Sequence, residues 1–297
     1  MIRWPPMHRY DITFPSVNSK DYAKSVTALV VEPPRVGEGT GVLLVSHGWG
    51  GNRRDYLPTM EYAASELGLI CLSVEFRGSG FDFDPVTGRG SVVPYDVSFY
   101  QLFDVLGGLR AVLELHPNVD RRRIFHYGGS QGGHLALLSA VFAPRTFALV
   151  YATSPLVRLD PLRASWAGRT FAPWELAARD VIDHAAEIRC PVILEHGTAD
   201  VLLPWDTQTR ALEERLRSLG HPVDATYVEG GGHGLEPITT RFDCFKERMP
   251  ARVASLRSVA EDDFRQGSTV RVACAGRTLR VDWSRSQESV ELFSWED

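Results

Sequence analysis

The sequence predicts an α/β fold: a doubly wound, mostly parallel sheet covered by helices, with a small antiparallel β appendage at the C-terminal end. Short apolar runs alternate with longer stretches of helical periodicity, which is how a parallel sheet with crossover helices reads. The runs are continuous in Val, Ile and Leu rather than alternating, so both faces of the sheet need cover. From about Ser268 the pattern changes to period two across turn signals, as in hairpin-linked strands.

Taken in order, the first strand is expected around "SVTALVVEP", closed by the Pro/Gly-rich turn "PPRVGEGTG". "GVLLVSHG" follows as a buried strand. In "DYLPTMEYAASELG", Met60, Tyr62, Ala63 and Leu67 share one helix face. "LICLSVEF" is a strand ending at "RGSG". In "VSFYQLFDVLGGLRAVLEL", Phe99, Leu102, Phe103, Leu106, Leu109 and Leu113 line one side of a helix. "RRRIFHYGG" is strand and turn, followed by a helix from Gln131. "FALVYATSP" and "CPVILEHG" are strands, "TQTRALEERLRSLG" a helix closing on Gly220, and "VDATYVEG" the last strand of the sheet.

These elements divide the chain into an α/β domain, 1–262, and the appendage, 263–297. Within the first, 158–186 breaks the alternation with two tryptophans and two prolines in "RLDPLRASWAGRTFAPWELAARD". It reads as an excursion over one sheet edge, in the manner of a small lid. The appendage needs something to bury against. Val270, Val272, Leu279, Val281, Val290 and Leu292 offer an apolar face, and its partner is either the main domain or a second copy of the chain, which would make a homo-oligomer.

The chain is 44% hydrophobic and 23% charged, with a formal net charge of -5. That is ordinary globular composition, without the basic stripe of a nucleic-acid binder. Cys71, Cys190, Cys244 and Cys274 lie far apart with no CxxC pair, and Cys71 and Cys190 read as buried small hydrophobes. The start "MIRWPPMHRYDITFPS" has no apolar core of a secretory leader. No run reaches the ~18 apolar residues of a membrane span. The expectation is a reduced, cytoplasmic protein with no membrane partner.

One stretch asks for chemistry. In "HYGGSQGGHLALLSAVFA", Ser130 stands among glycines between a strand and a helix. Gly128-Gly129-Ser130-Gln131-Gly132 fits G-x-S-x-G in the context that motif requires. A sharp reversal needs nearly bare neighbours, and it lifts the hydroxyl above the sheet at a helix N-terminus, where free N–H groups favour developing negative charge. Such a turn can also be purely structural.

A serine nucleophile needs a base, and the base needs an acid. "ILEHGTADVLLP" supplies Asp200 and "YVEGGGHGLEP" supplies His233, each just past a strand. Either alone reads as a turn aspartate or a loop histidine. In the order Ser, Asp, His, at strand C-terminal ends, they read as a triad. Oxyanion donors are expected at the Gln131 N–H and in "VLLVSHGWGGNRRDY", at the Trp49 N–H with Gly48 and Gly50 as alternatives. His47 there could simply bond to backbone.

"SHGWGGN", "EFRGSG", "GGSQGG", "CPVILEHGTADVLLP" and "GGGHG" together resemble the α/β-hydrolase superfamily. The likeness spans roughly residues 40 to 240 and is greatest to the prolyl-oligopeptidase-like, dienelactone-hydrolase-like and acetyl-xylan-esterase-like branches. It implies Ser130 as nucleophile, His233 as base, Asp200 as acid, and Trp49 and Gln131 as oxyanion donors. The chain departs from the dienelactone branch in using serine, and from the peptidase branch in showing no long propeller-like region. The β appendage belongs to none of these patterns.

Other chemistries fit poorly. The histidines 47, 126, 134, 184, 196 and 233 are scattered, with no H-E-x-x-H and no Cys/His pairs, so no metal site is expected. "GEGTG" precedes a strand, "RGSG" lacks a third glycine and no P-loop is present, so no cofactor is implied. Trp166, Trp174 and Trp205 could line a substrate pocket or simply pack. The sequence reading favours a carboxylic ester hydrolase acting on a small acyl substrate through an acyl-enzyme. The alternatives are a peptidase, amidase or thioesterase, and a non-hydrolytic acyltransferase, lyase or binding protein.

Overall fold

A computed structural model describes residues 7–17, 25–80 and 94–297, with the backbone of 83–84 and 89–90. The opening stretch 1–6, read above as free of a leader, lies outside the described residues. The strands of the first 230 residues are β1 (His8–Pro15), β2 (Ser25–Glu32), β3 (Gly41–Ser46), β4 (Leu69–Glu75), β5 (Phe83–Asp84), β6 (Arg89–Gly90), β7 (Ile124–Gly129), β8 (Leu149–Thr153), β9 (Val192–Gly197) and β10 (Val223–Val228). Eight of them form one sheet in the order β1-β2-β4-β3-β7-β8-β9-β10, while β5 and β6 pair separately. β2 runs antiparallel to both neighbours, and from β4 to β10 every pair is parallel.

The α/β class and the mostly parallel sheet are as the sequence predicts; β1 was not anticipated. Its residues, "HRYDITFP", bury only Phe14 fully, because an edge strand needs polar cover more than apolar depth. The inner strands are apolar on both sides. In β3, Val42 and Leu44 face one core, whereas Leu43 and Val45 face the other. Each such side chain contributes about 1.5–3 kcal/mol relative to exposure.

The helices are α1 (Leu57–Leu67), α2 (Phe99–Leu115), α3 (Gln131–Phe142), α4 (Pro161–Trp166), α5 (Pro173–Ala177), α6 (Ala211–Ser218), α7 (Arg241–Ser255) and α8 (Asp263–Gln266). α1 and α7 cover one face of the sheet; α2, α3 and α6 cover the other. All twelve residues of α3 are buried. α7 is a second unforeseen element, masked by charge and by Pro250. Phe245, Met249 and Val253, four apart and all buried, are its apolar stripe.

Residues 158–186 hold α4 and α5. They join β8 to β9, two inner neighbours, so the excursion does not cross a sheet edge as expected. It packs instead beside the strand C-terminal ends, where Leu156, Leu159 and Ala167 meet Tyr95, Val97 and Leu203. Buried Arg179 fastens it there, donating to the carbonyls of Val97, Asp96 and Glu175.

The C-terminal sheet consists of β11 (Thr269–Cys274), β12 (Arg277–Asp282) and β13 (Phe293–Glu296), antiparallel throughout. Val270, Val272, Leu279, Val281 and Leu292 join the same core as α2 and α3. Val290, assigned above to that face, is instead 72% exposed. Phe293 stacks on Phe103 at 4.8 Å, and Trp283 Nε1 donates to the Phe142 carbonyl at 2.8 Å. All four cysteines are free and buried. Among the described residues, no helix is long and apolar enough to cross a membrane.

Candidate active site

Ser130 sits between β7 and α3 with φ 58° and ψ -123°, a conformation that costs an L-residue free energy. The turn closes only because its neighbours are bare. A β-carbon on Gly132 would run into the Ser46 carbonyl, and one on Gly128 into the backbone of Gly132. The Ser130 amide donates to the Thr153 carbonyl at 2.9 Å, and its carbonyl accepts from the His134 amide at 3.1 Å. The strained residue is thus fixed on both sides.

Asp200 follows β9 and His233 follows β10. The His233 Nδ1 donates to Asp200 Oδ2 at 2.7 Å. A second histidine reaches the same oxygen: His196 Nε2 lies 2.9 Å from Asp200 Oδ2 and 2.9 Å from the Leu203 carbonyl. Both partners can only accept, so Nε2 carries a proton, and Nδ1 lies 2.6 Å from the Thr209 hydroxyl. Asp200 Oδ1 accepts from the amides of Leu202 and Leu203 at 2.8 and 3.0 Å. Burial pushes the Asp200 carboxyl up, but the bonds from His196, His233 and Leu203 outweigh it and hold its pKa well below the usual carboxylate range. The carboxylate therefore stays charged and holds His233 in one tautomer.

On the other side of Ser130 runs the loop after β3. A β-carbon on Gly48 would stand 3.9 Å from Ser130 Oγ, so this backbone lies against that hydroxyl. His47 Nδ1 donates to the Gly48 carbonyl at 2.9 Å, the backbone bond foreseen for it. That carbonyl shares a planar peptide with the Trp49 N–H, so fixing one fixes the other. The Gln131 N–H begins α3 and has no intrahelical acceptor. Tyr95 ties the two together: its ring stacks on Trp49 at 4.2 Å, and its hydroxyl donates to Gln131 Oε1 at 2.8 Å.

Ser130, His233, Gly48 and Trp49 line one cavity of about 570 Å³, whose further wall includes Tyr56, Pro58, Leu202, Glu236, Arg241 and Phe242. Of the three tryptophans named as pocket residues, Trp166 meets the ring of Trp49 edge-on at 6.0 Å. Trp174 lies instead under the Arg277 guanidinium, 4.9 Å away, and Trp205 packs on Tyr227 at 4.9 Å. None of the three is among the residues lining this cavity; Trp166 reaches it only through its contact with Trp49. His196, grouped above with the scattered histidines, is the residue most plainly missed. Its signal was its place at the end of a strand, four residues before Asp200. Tyr56 and Arg241 carried no such signal.

The model of the prolyl oligopeptidase family matches residues 58–248, well over half of the chain. The acylamino-acid-releasing enzyme of Rattus norvegicus is 24% identical over 244 residues, covering 73% of this chain and 32% of the relative. An uncharacterized peptidase of Bacillus subtilis is 28% identical over 142 residues, 44% of this chain and 55% of the relative. The chain thus spans a third to about half the length of these two relatives. Among solved structures, an acylaminoacyl peptidase of Pyrococcus horikoshii superposes with a TM-score of 0.68 at 19% identity, over 86% of this chain and 43% of that one.

Proposed function

The chain belongs to the prolyl oligopeptidase family, and from that premise we propose that it is a serine hydrolase cleaving amide bonds of short acylated peptides. The observation that carries this reading is the Asp200–His233 bond at 2.7 Å beside a strained Ser130 in one cavity. Ser130 Oγ attacks the acyl carbon while His233 Nε2 takes its proton. The oxyanion is met by the N–H groups of Gln131 and Trp49, set by α3 and by the His47-fixed peptide. His233 returns the proton to the departing amine, and water then releases the acyl group by the reverse use of the same base.

The sequence reading preferred an ester, on the ground that no gating domain was evident. That ground is weak for a chain spanning 32% of its rat relative. Support for the peptidase alternative comes from the relatives, two of which are named for acylaminoacyl or peptide substrates. The test is a panel of acyl-aminoacyl anilides beside acyl esters of the same chain lengths, with Ser130→Ala as blank. Turnover of anilides by the wild type alone is expected. Ester cleavage with no anilide cleaved would return the reading to a carboxylesterase.

A further inference from the structure

The cavity at Ser130 contains a cation that the triad does not use. Arg241 opens α7, and its backbone carbonyl accepts from the Tyr127 hydroxyl at 3.2 Å. Its Nη2 donates to the His233 carbonyl at 2.6 Å. Its Nε is buried and meets no acceptor among the described residues. Nor does any carboxylate among the described residues pair with it. Asp55 and Glu236 also line the cavity, but both are exposed, and Asp55 already accepts from Asn52. That Nε is closed off against Gly129 and Nη2 is used on His233, so the donor the guanidinium can offer the cavity is Nη1. Nη1 bonds to no acceptor among the described residues, and the acceptor that suits a guanidinium is a carboxylate. The N-terminal end of α7, where Thr240 Oγ1 accepts from the Asp243 amide at 3.1 Å, adds partial positive charge at the same wall.

The wall matters. A leaving group takes its proton from the histidine, so it departs on the His233 side, away from the Gly48–Trp49 backbone. Arg241, bonded to the carbonyl of His233, stands on that side. A β-carbon on Gly129 would lie 2.9 Å from its Nε and against the Tyr56 hydroxyl, which brings both groups up to the residue before the nucleophile.

We propose that Arg241 binds a carboxylate on the leaving group, so that the preferred substrates are acylated amino acids or short peptides whose departing residue ends in a free α-carboxylate. The proposal rests on the peptidase reading for its amide chemistry. In the step, Ser130 Oγ bonds to the acyl carbon and the C–N bond breaks. The nitrogen keeps the electron pair and receives the proton that His233 took from Ser130. Water then splits the acyl ester, giving a free acid, a free amino acid and the original enzyme. The carboxylate stands two bonds from the scissile nitrogen and takes no part in the bond changes.

The test compares kcat/KM for matched substrates with a free C-terminal carboxylate or a C-terminal carboxamide. A second matched pair carries an ester oxygen in place of the scissile N–H. A charge-assisted hydrogen bond gives the wild type a preference of about ten- to a hundredfold for the carboxylate member. In Arg241→Met that ratio falls to about one. The ratio is the readout, because the variant also loses the bond to the His233 carbonyl and slows on both members. Fluorophosphonate labelling of Ser130 shows that the variant is folded, and protection from labelling by a free amino acid against its amide reads the same preference without turnover. A wild type indifferent to the carboxylate, in rate and in protection, overturns the proposal, as does a preference that survives Arg241→Met. Cleavage of the ester pair alone removes the peptidase reading and leaves the carboxylate preference to be read from that pair.

Discussion

The two ends of α3 are held by opposite means. At Gln131 the helix starts from a strained serine and meets buried polar groups: the Tyr95 hydroxyl and Gln101 at the Gln131 side chain, and Ser98 and the Arg179 carbonyl at His134. At Phe142 it ends among rings, with Phe103 at 6.4 Å from Phe142 and 6.1 Å from Trp283, and with one indole N–H on the last carbonyl. Buried polar bonds are strongly directional but contribute little net free energy each. Buried rings contribute more and direct less. One end of the helix sets geometry; the other supplies the stability that lets the first remain strained.

If that division is real, substitutions at the two ends should separate activity from stability. Ser130→Ala should lower kcat by about 10⁴ to 10⁶ and leave the thermal midpoint unchanged; retention of a tenth of the activity would exclude this serine as nucleophile. Trp283→Ala should cost about 3–5 kcal/mol in urea unfolding. Its kcat per fluorophosphonate-titrated site should match the wild type, and a lower value would mean that the two ends are coupled. His196→Ala removes a donor from Asp200, so kcat should fall by about ten- to a hundredfold with KM steady. A changed KM with steady kcat would deny His196 its positioning role.

The smallest effect is in pH. Burial pushes His126 down to about 3, and pushes His134 down to about 4 against the opposing bond to the Arg179 carbonyl. The unfolded chain binds these protons near pH 6.5, so the stability from keeping both rings neutral is full above that pH. It declines as pH falls from 6.5 towards 4, by about 1.4 kcal/mol per pH unit for each histidine. Asp200 differs: its lowered pKa keeps its contribution intact through that window, and it is lost only below about pH 4. Urea midpoints at pH 7, 6 and 5 should show the decline, and His134→Gln should remove one histidine's share. An unaltered slope in that variant would place the protons elsewhere.

The inner sheet was legible because a strand buried on both faces has to be written in Val, Ile and Leu, as β3 is. The edge strand β1 was not, since "HRYDITFP" is written for solvent and for its ladder to β2. In α7, Phe245, Met249 and Val253 carried the helical period, but Lys246, Glu247, Arg248 and Pro250 stand between them. Ser130, Asp200 and His233 could be picked out because each follows a strand, and strand ends are recognisable. Trp174 and Trp205 could not be aimed: a tryptophan's type says that it will be covered, not by what. The side chains that hold the candidate site, His196 at Asp200 and Tyr95 at Trp49 and Gln131, act through contacts with residues 200, 203, 49 and 131, and Arg241 acts through a carbonyl. Pattern alone does not show such contacts.

The indole of Trp283 closes on a carbonyl 141 positions earlier in the chain, and that distance is also an interval of time. At about 5–20 residues per second, α3 leaves the ribosome roughly seven to thirty seconds before the residue that seals its far end. Through that interval most of α3 can already pack on α2, β3, β7 and β8, but its far end waits for Trp283. His233 is likewise still to come when Ser130 emerges. The growing chain carries a helix whose far end is still open and a candidate site still without its histidine, so that site is completed only late in synthesis.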